Sequence, residues 1–343
     1  MTHQEVRTIA PSEIPLASRP ITYISWAESC SRSDHTAREL HGVSHMVYLP
    51  GLGSRASTVL FKYVGQAARS IRILSRERPA TVFVMTPPVF AALPAFWYAW
   101  RHGAQVVLDA HSAAFLHPRW RRLQWLQRLL CRRAATTLVH NDHMAELVRE
   151  AGGHATLVPD VPVIFPEVQP FDRPPTLTIA VVCSFNYDEP VDAIFAAAEQ
   201  LPGVRFFVTG NPLHLRADLK TKLPSNLVLT GFLSAPAYGG LLQGADAVMT
   251  LTTRDHTMLR GAYEAIYHGS PVILSDWPVL RAAFDEGAVH VTNDADAIVG
   301  GIRRLEGALA RYREGAENLR QRKLARWRTT RSAILSRLAV GPD

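Results

Sequence analysis

The sequence alternates short apolar segments with longer helical patterns, and this alternation occurs twice along the chain. In the first half, helical patterns such as Thr58–Ser75 and Trp120–Arg133 separate segments that predict strands. The predicted strands are Ile21–Trp26, His45–Leu49, Thr81–Thr86, Gln105–Asp109, Thr136–His140 and Ala155–Val158. This pattern predicts an α/β fold with a parallel sheet covered by helices on both faces.

A proline-rich segment, Val161–Pro175, predicts an extended and stiff connection between two domains. The alternation then restarts, with strands predicted at Leu177–Cys183, Arg205–Thr209, Leu227–Thr230, Ala247–Thr250, Val272–Ser275 and Val289–Thr292. The intervening helices are predicted at Val191–Gln200, Ala235–Gln243, Arg260–His268 and Asp294–Ala310. We therefore predict domains at 1–165 and 166–315, followed by a basic helix within 316–343.

Composition narrows the class of protein. The three cysteines, at positions 30, 131 and 183, are far apart and odd in number, which predicts a reducing cytoplasm and no disulfide framework. The first fifteen residues lack the apolar core of a signal peptide. The longest apolar run, Val89–Trp100, is too short to span a bilayer. We expect a cytoplasmic protein, either soluble or peripheral at the inner membrane face.

The excess of positive charge lies entirely in the first half. Through Phe165 the chain has 18 Lys and Arg against 11 Asp and Glu, and the remainder holds 19 of each. This asymmetry predicts that the first half meets an anionic partner, such as a membrane surface, a lipid phosphate or a nucleic acid. No nucleic-acid-binding module is recognisable, so we expect no nucleic acid.

The segment Thr252–Asp276 predicts a nucleotide-sugar site. It has the pattern of a strand end, a loop, a short helix, a Gly-Ser-Pro stop and a buried strand, with Asp255, His256 and Thr257 where the helix would begin. A helix start presents unpaired N–H groups that suit a diphosphate. Glu264, about two turns later, can accept hydrogen bonds from sugar hydroxyls. Alternatively, Glu264 only caps or salt-bridges its helix.

This segment resembles the donor-site signature of the GT-B-fold glycosyltransferases of family 4. That signature has two glutamates separated by seven residues, and Glu264-Ala265 with Gly269-Ser270-Pro271-Val272 matches its second half. The resemblance implies that Glu264 binds the ribose of the donor. His256 takes the place of the first glutamate, which approaches the donor sugar in the family. Thr257 and Met258 join the predicted donor-binding residues.

The resemblance also implies the architecture and the reaction. Two Rossmann-like doubly wound domains would face each other across a cleft, with the donor on the second, the acceptor on the first, and a terminal helix that crosses back or lies on the surface. A sugar would pass from a nucleoside diphosphate, UDP in our interpretation, to a saccharide or lipid-linked acceptor, with retention and no metal ion or cofactor. The alternatives are a nucleotide-sugar epimerase of this fold and a non-catalytic sugar-nucleotide-binding subunit.

Loops at the carboxyl ends of parallel strands supply further candidates. The loop at Ser184 lacks the basic residues that relatives use for the donor phosphates, so Arg254 and Arg260 are the predicted replacements unless they only face solvent. The remaining candidate donor contacts are Gly210, Asn211, Phe232 and Leu233, the last two for the base.

In the first domain, Asp109 and His111 follow a predicted strand. Many family members carry a histidine there, so His111 could bind a sugar hydroxyl or act as acid or base, with Asp109 orienting it. Alternatively, Asp109 caps the next loop and His111 only packs. Ser31–Ser33 either bind an acceptor phosphate or sugar or cap the first helix. We expect no metal, because no metal-binding spacing occurs and Asp294–Asp296 suits a helix cap.

The basic segment His117–Arg133 contains six arginines and no acid. Apolar residues recur in it at helical spacing, which is typical of an interfacial helix on anionic lipid, through Trp120–Arg133. The aromatic run Phe96–Trp100 could add anchors at such an interface. The alternative is an ordinary amphipathic helix that packs on its sheet.

Overall fold

The computed structural model describes residues 20–28, 30–51, 56–165, 167–255 and 257–340. The chain divides into two compact units, one formed by Met1–Val161 with Thr329–Asp343 and the other by Pro162–Arg328. The observed division falls within the proline-rich segment in which the boundary was predicted.

The first unit is built on a six-stranded parallel sheet in the order β2-β1-β3-β4-β5-β6. Its strands are β1 (Ile21–Ser25), β2 (Val43–Met46), β3 (Thr81–Thr86), β4 (Gln105–Ala110), β5 (Thr136–Val139) and β6 (Ala155–Leu157). The helices between them are α1 (Ser31–Glu39), α2 (Ala56–Glu77), α3 (Ala92–His102), α4 (Ser112–Leu116), α5 (Gln124–Arg133) and α6 (Asp142–Glu150). The central strand β3 is buried at every position, as expected when helices cover both faces.

The second unit repeats this plan, with the strand order β12-β11-β10-β7-β8-β9. Its strands are β7 (Thr178–Val181), β8 (Arg205–Thr209), β9 (Leu227–Gly231), β10 (Ala247–Thr250), β11 (Val272–Ser275) and β12 (Ala288–Val291). Its helices are α7 (Val191–Glu199), α8 (Ala217–Lys220), α9 (Ala235–Gly244), α10 (Arg260–Tyr267), α11 (Pro278–Ala283) and α12 (Ala295–Gly307). The predicted α/β class with two doubly wound parallel sheets is confirmed.

A long helix, α13 (Leu309–Val340), ends the described chain. Its last part, from Thr329, belongs to the first unit. There the Arg331 Nε donates to the Glu39 carbonyl oxygen at 2.6 Å, and Ile334 is fully buried. Within the described residues, no helix has the length and apolar character that crossing a membrane would require.

Two predicted elements differ from the structure. The strand predicted at His45–Leu49 is β2, which ends at Met46 because the register places that residue opposite Ser25, the last residue of β1. The helix predicted at Trp120–Arg133 is divided. Its first part is a 3-10 helix, Pro118–Leu123, and only the second part is α-helical.

Candidate functional site

The sheet order of the second unit gathers the loops that follow β7, β8, β9 and β10. These four strands are neighbours and parallel, so their carboxyl ends meet at one edge of the sheet. Most of the predicted donor-binding residues lie in these loops or in α10, which follows β10. The doubly wound topology therefore brings them to the same end of one domain.

The loop after β7 folds around an acidic side chain that the sequence analysis did not single out. The backbone N–H of Ser184 donates to both carboxylate oxygens of Glu189 at 3.0 Å, and the N–H of Asn186 donates at 2.7 Å. Phe185, between them, has φ of 58°, a left-handed conformation. Successive amides in such a turn form a concave anion-binding nest. The predicted candidate Ser184 therefore has its amide occupied by an acid of the same chain.

The segment after β10 is hydrogen-bonded to this loop. Thr253 donates through its backbone N–H to the Asp188 carbonyl oxygen at 2.7 Å. The guanidinium of Arg254 lies 4.6 Å from the ring centroid of Tyr187 in a cation–π contact. One predicted phosphate-binding arginine thus lies beside the loop whose own sequence contains no Lys or Arg.

The loop after β8 explains why position 210 is glycine. Gly210 has φ of 98°, and a Cβ atom there would lie 2.3 Å from the Cys183 carbonyl oxygen. The loops after β7 and β8 therefore touch through backbone. The side-chain oxygen of Asn211 accepts a hydrogen bond from the Leu213 N–H at 3.0 Å, so Asn211 caps a 3-10 turn.

The two candidates for the nucleobase face different ways. The side chain of Phe232 is 79% exposed, whereas Leu233 packs against the core beneath α9 and α10. A base could therefore contact the ring of Phe232, while Leu233 can offer only backbone groups from its packed position.

The helix α10 begins at Arg260, with Leu259 as an N-cap that provides no side-chain hydrogen bond. The predicted bounds Arg260–His268 therefore describe this helix, and the expectation of a start at Asp255–Thr257 is wrong, because Thr257 and Met258 precede the first turn. Met258 is partly buried against the core. The predicted candidate His256 lies outside the described residues.

Glu264 lies one turn inside α10 and is only 4% exposed. Its carboxylate accepts a hydrogen bond from the Tyr238 hydroxyl at 2.6 Å and one from the Arg260 Nε at 2.5 Å. The alternative that Glu264 salt-bridges its own helix thus describes this structure. Arg260 itself is 58% exposed, so the pair is open to solvent on one side.

Tyr238, on α9, is a component that the sequence did not indicate. Burial raises the pKa of its phenol well above the usual value, and the Glu264 carboxylate raises it further. The hydroxyl is therefore a fixed donor to Glu264. Nothing in the surrounding Ala-Pro-Ala-Tyr-Gly-Gly sequence marks this tyrosine, because only the packing of α9 against α10 brings the two residues together.

In the first unit, Asp109 at the end of β4 is 1% exposed and fully engaged. It accepts from the Tyr23 hydroxyl at 2.5 Å and from the Arg32 Nε at 3.0 Å. Arg32 also donates to the Val158 carbonyl oxygen at 3.2 Å. Although burial alone would raise the pKa of Asp109, the charge of Arg32 and the hydrogen bonds from Tyr23 and Arg32 hold it below its usual value.

His111 follows directly and takes the N-cap position of α4. Its Nε2 atom is buried and has no hydrogen-bond partner, and burial lowers the pKa of the ring. Its imidazole is therefore neutral near neutral pH. The prediction that Asp109 orients this ring is not supported, because the Asp109 carboxylate accepts its hydrogen bonds from Tyr23 and Arg32 instead.

The segment Ser31–Ser33 forms the first turn of α1, but the N-cap is Cys30 and no side chain makes a capping bond, so the alternative that these serines cap the helix is wrong. Ser33 is buried and its hydroxyl lies 2.6 Å from that of Ser25. Asp294 likewise caps α12 by accepting from the Ala297 N–H, as its sequence context indicated. Among the described residues, no group of three or more His, Cys, Asp or Glu side chains could hold a metal ion.

The apolar stripe of the basic segment faces inward. Trp120, Leu123 and Leu126 pack against the core of the first unit, and Leu130 is buried in it. The apolar residues predicted to face lipid therefore cover the sheet. Outward-facing residues are Trp125 with the arginines at 119, 121, 122 and 128, and two further exposed tryptophans are Trp97 and Trp100 on α3.

Comparisons with solved structures define the class of the fold. Sucrose-phosphate synthase from Thermosynechococcus elongatus superposes with a TM-score of 0.67 at 14% identity, over 93% of this chain and 98% of that one. Alr3699/HepE from Anabaena, in complex with UDP and glucose, gives 0.64 at 12% identity, over 94% and 100%. A putative UDP-N-acetylglucosamine 2-epimerase from Listeria monocytogenes gives 0.58 at 12%, over 88% and 91%. The fold is that of the GT-B glycosyltransferases.

A family model also matches part of the sequence. Residues 6–162 match the family described as the glycosyl transferase 4-like domain. This match covers just under half of the chain and, together with the fold, confirms the predicted resemblance to the GT-B glycosyltransferases. No curated protein matches the sequence.

Proposed function

We propose that this protein transfers a sugar from a UDP-sugar to a saccharide or lipid-linked acceptor. The observation that carries the proposal is the nearly buried Glu264, held by Tyr238 at the sheet edge where Arg254 and the glycine-containing loops converge. A UDP-sugar offers that edge a ribose, two phosphates and a base. The structural neighbour HepE was solved with UDP and glucose, which supports this choice of donor.

Glu264 and Arg260 exchange partners when the donor binds. The ribose hydroxyls donate to the Glu264 carboxylate and replace the exposed Arg260 guanidinium, while Tyr238 keeps its hydrogen bond. Arg260 is then free to pair with the diphosphate, together with Arg254. The reaction proceeds with retention and without a metal ion, and its catalysis rests on positioning and on stabilising the leaving diphosphate.

The first unit provides the acceptor side in this proposal. His111 is the candidate acid or base, since its buried Nε2 has no partner and its ring is neutral near neutral pH. Asp109 keeps Arg32 and Tyr23 in place behind it rather than taking part in proton transfer. The role of His256 beside the donor sugar stays a prediction.

The acceptor belongs to surface polysaccharide or glycolipid synthesis at an anionic membrane face. Outward-facing Trp125 among exposed arginines suits such a surface. Binding to phosphatidylcholine vesicles with and without phosphatidylglycerol tests this. We expect binding that requires the anionic lipid and that Arg121→Glu weakens. Arg303→Glu, an exposed arginine of the second unit, should leave it unchanged. Equal losses in both variants would contradict the assignment.

Release of UDP from candidate UDP-sugars, with and without acceptor, tests the main proposal. We expect wild-type turnover and its loss in Glu264→Ala with the fold intact by circular dichroism. Glu317→Ala, which removes a partly exposed carboxylate on α13, is the control and should turn over normally. Wild-type protein that binds no UDP-sugar in calorimetry would overturn the proposal.

A nucleotide-sugar epimerase is the second candidate, favoured by the similarity to the Listeria protein described as a putative epimerase. The two activities differ in their products. An epimerase converts one free UDP-sugar into another without any acceptor, whereas a transferase releases UDP and forms a glycoside. Chromatography of the nucleotides after incubation without acceptor distinguishes the two. Binding without either product would indicate a non-catalytic subunit.

A further inference from the structure

The nest after β7 holds an anion that belongs to the protein itself. The amides of Ser184 and Asn186 give three hydrogen bonds of 2.7–3.0 Å to the Glu189 carboxylate. The Cys183 thiol donates to the same group at 3.3 Å. Several donors that converge on one carboxylate are the arrangement that also binds a phosphate oxygen.

The backbone around this nest is fixed independently of Glu189. Phe185 has its positive φ, and the Thr209 hydroxyl accepts from the Cys183 N–H at 3.3 Å. The absence of a side chain at Gly210 allows the neighbouring loop to pack against the Cys183 carbonyl. These contacts hold the Cys183 end of the nest without the Glu189 carboxylate.

Glu189 reaches the nest by folding back over its own loop. Its N–H donates to the Asn186 carbonyl oxygen at 3.1 Å, and the residue does not cap α7, whose N-cap is Pro190 without a side-chain bond. Ser184 and Asn186 are exposed and Glu189 is half-buried. A dissolved anion can thus reach the amides and compete with the side chain.

A positive group lies next to the nest. Arg254 stacks on Tyr187 of the same loop, and the preceding Thr253 is bonded to the Asp188 carbonyl oxygen at 2.7 Å. An anion that replaces the carboxylate would therefore meet a guanidinium nearby.

We propose that the amides of Ser184 and Asn186 form a binding site for a phosphate oxygen and that the Glu189 carboxylate is an internal competitor occupying it. A diphosphate binds there only in the fraction of molecules whose Glu189 has turned away, so the apparent affinity is reduced by that fraction. This inference rests on the proposed function for its ligand, the diphosphate of the donor.

Calorimetric titration with inorganic pyrophosphate and, separately, with UDP tests the competition. In Glu189→Gln the neutral amide competes less well for the N–H groups. We expect both ligands to bind at least about fivefold more tightly, because charged hydrogen bonds are about twice as strong as neutral ones. Asp192→Asn is the matched control, since Asp192 is paired with Arg216 and does not touch the nest. It should leave both affinities within about twofold.

Equal or weaker pyrophosphate binding in Glu189→Gln than in wild type would overturn the inference. A similar gain in Asp192→Asn would do the same, because a general charge effect would then suffice. If Glu189→Gln does not fold, Glu189→Asp decides the matter. Its shorter side chain keeps the charge but cannot span the same bonds, so it should also bind pyrophosphate more tightly.

The two ligands separate this inference from the proposed function. If wild type binds no UDP but Glu189→Gln gains affinity for pyrophosphate, the competitor exists and the donor assignment fails. If wild type binds UDP and Glu189→Gln gains affinity for neither ligand, the donor assignment stands and the proposal that Glu189 competes with the ligand is wrong.

Discussion

Each unit holds a nearly buried carboxylate near the carboxyl end of its sheet, bonded to one tyrosine hydroxyl and one arginine Nε. In the first unit this carboxylate is Asp109, with Tyr23 at 2.5 Å and Arg32 at 3.0 Å. The three residues come from different elements, and Arg32 is only 22% exposed. A further bond to the Val158 carbonyl oxygen fixes the guanidinium. This carboxylate is locked.

The carboxylate of the second unit is also bonded to a tyrosine and an arginine, but its arginine is less firmly fixed. Glu264 accepts from Tyr238 at 2.6 Å and from Arg260 at 2.5 Å. Arg260 comes from the same helix, one turn earlier, and is 58% exposed. Its guanidinium can leave for solvent or a ligand at little cost. The exposure of the paired arginine, rather than the burial of the acid, therefore distinguishes the carboxylate that can accept a ligand.

The largest effect on stability is expected when the ion pair between Asp109 and Arg32 is broken. Asp109→Asn leaves the Arg32 charge without its buried partner and should lower the free energy of unfolding by about 3–5 kcal/mol. Urea denaturation followed by circular dichroism measures this. A loss below about 1 kcal/mol would show that Asp109 is not a structural anchor.

The matching change in the second unit should act on binding more than on stability. Glu264→Gln is expected to weaken UDP binding by about 10- to 100-fold, because it replaces charge-assisted bonds to the ribose by neutral ones. Its free energy of unfolding should fall by less than that of Asp109→Asn. Calorimetry and urea denaturation provide both numbers, and the reverse order of stability losses would contradict the comparison.

Removing Arg260, the exposed arginine of the second unit, should lower the free energy of unfolding less than removing Arg32. Arg260→Ala is expected to lower the free energy of unfolding by about 1–2 kcal/mol, because the guanidinium is already 58% exposed and Tyr238 keeps its hydrogen bond to the buried Glu264 carboxylate. Arg32→Ala, the corresponding change in the first unit, should cost several times as much. Similar losses for the two variants in thermal denaturation would remove the distinction between them.

The smallest effect is a gradual loss of stability in mild acid. Burial lowers the pKa of His111 in the first unit and of His268 in the second. Below the histidine pKa of about 6.5 in the unfolded state, the unfolded state binds more protons than the folded state. Stability therefore decreases as the pH decreases, until the pH reaches the lower pKa of the folded state. Asp109, with its lowered pKa, adds a loss only below about 3.9.

Thermal unfolding between about pH 7 and pH 5 measures the histidine effect. His111→Gln and His268→Gln should each flatten the decline, because each removes one group whose protonation favours the unfolded state. An unchanged slope in both variants would show that other groups cause it.

Local patterns predicted the elements of the fold well. Thr81–Thr86 and Arg205–Thr209 have the predicted bounds, because each is a short run of mainly β-branched and aromatic residues, as is typical of strands. The helix predicted across Trp120–Arg133 is confirmed over Gln124–Arg133 but starts too early, since its periodic apolar residues gave no sign of the 3-10 turn after Pro118. For the site, the strand-end rule selected Asp109 and the family motif selected Glu264. Neither indicated the tyrosines that hydrogen-bond to these two carboxylates.

The sequence by itself determined the two α/β halves and the positions of the acidic, basic and glycine residues at strand ends. Periodicity and turn residues act over a few positions, so they can be read along the chain. Only the tertiary structure decided that Tyr23 and Tyr238 hold the two carboxylates, that Arg32 is fixed and Arg260 exposed, and that Glu189 occupies the nest. Those facts depend on packing between elements, because a hydrogen bond formed across a fold leaves no local signal in the sequence.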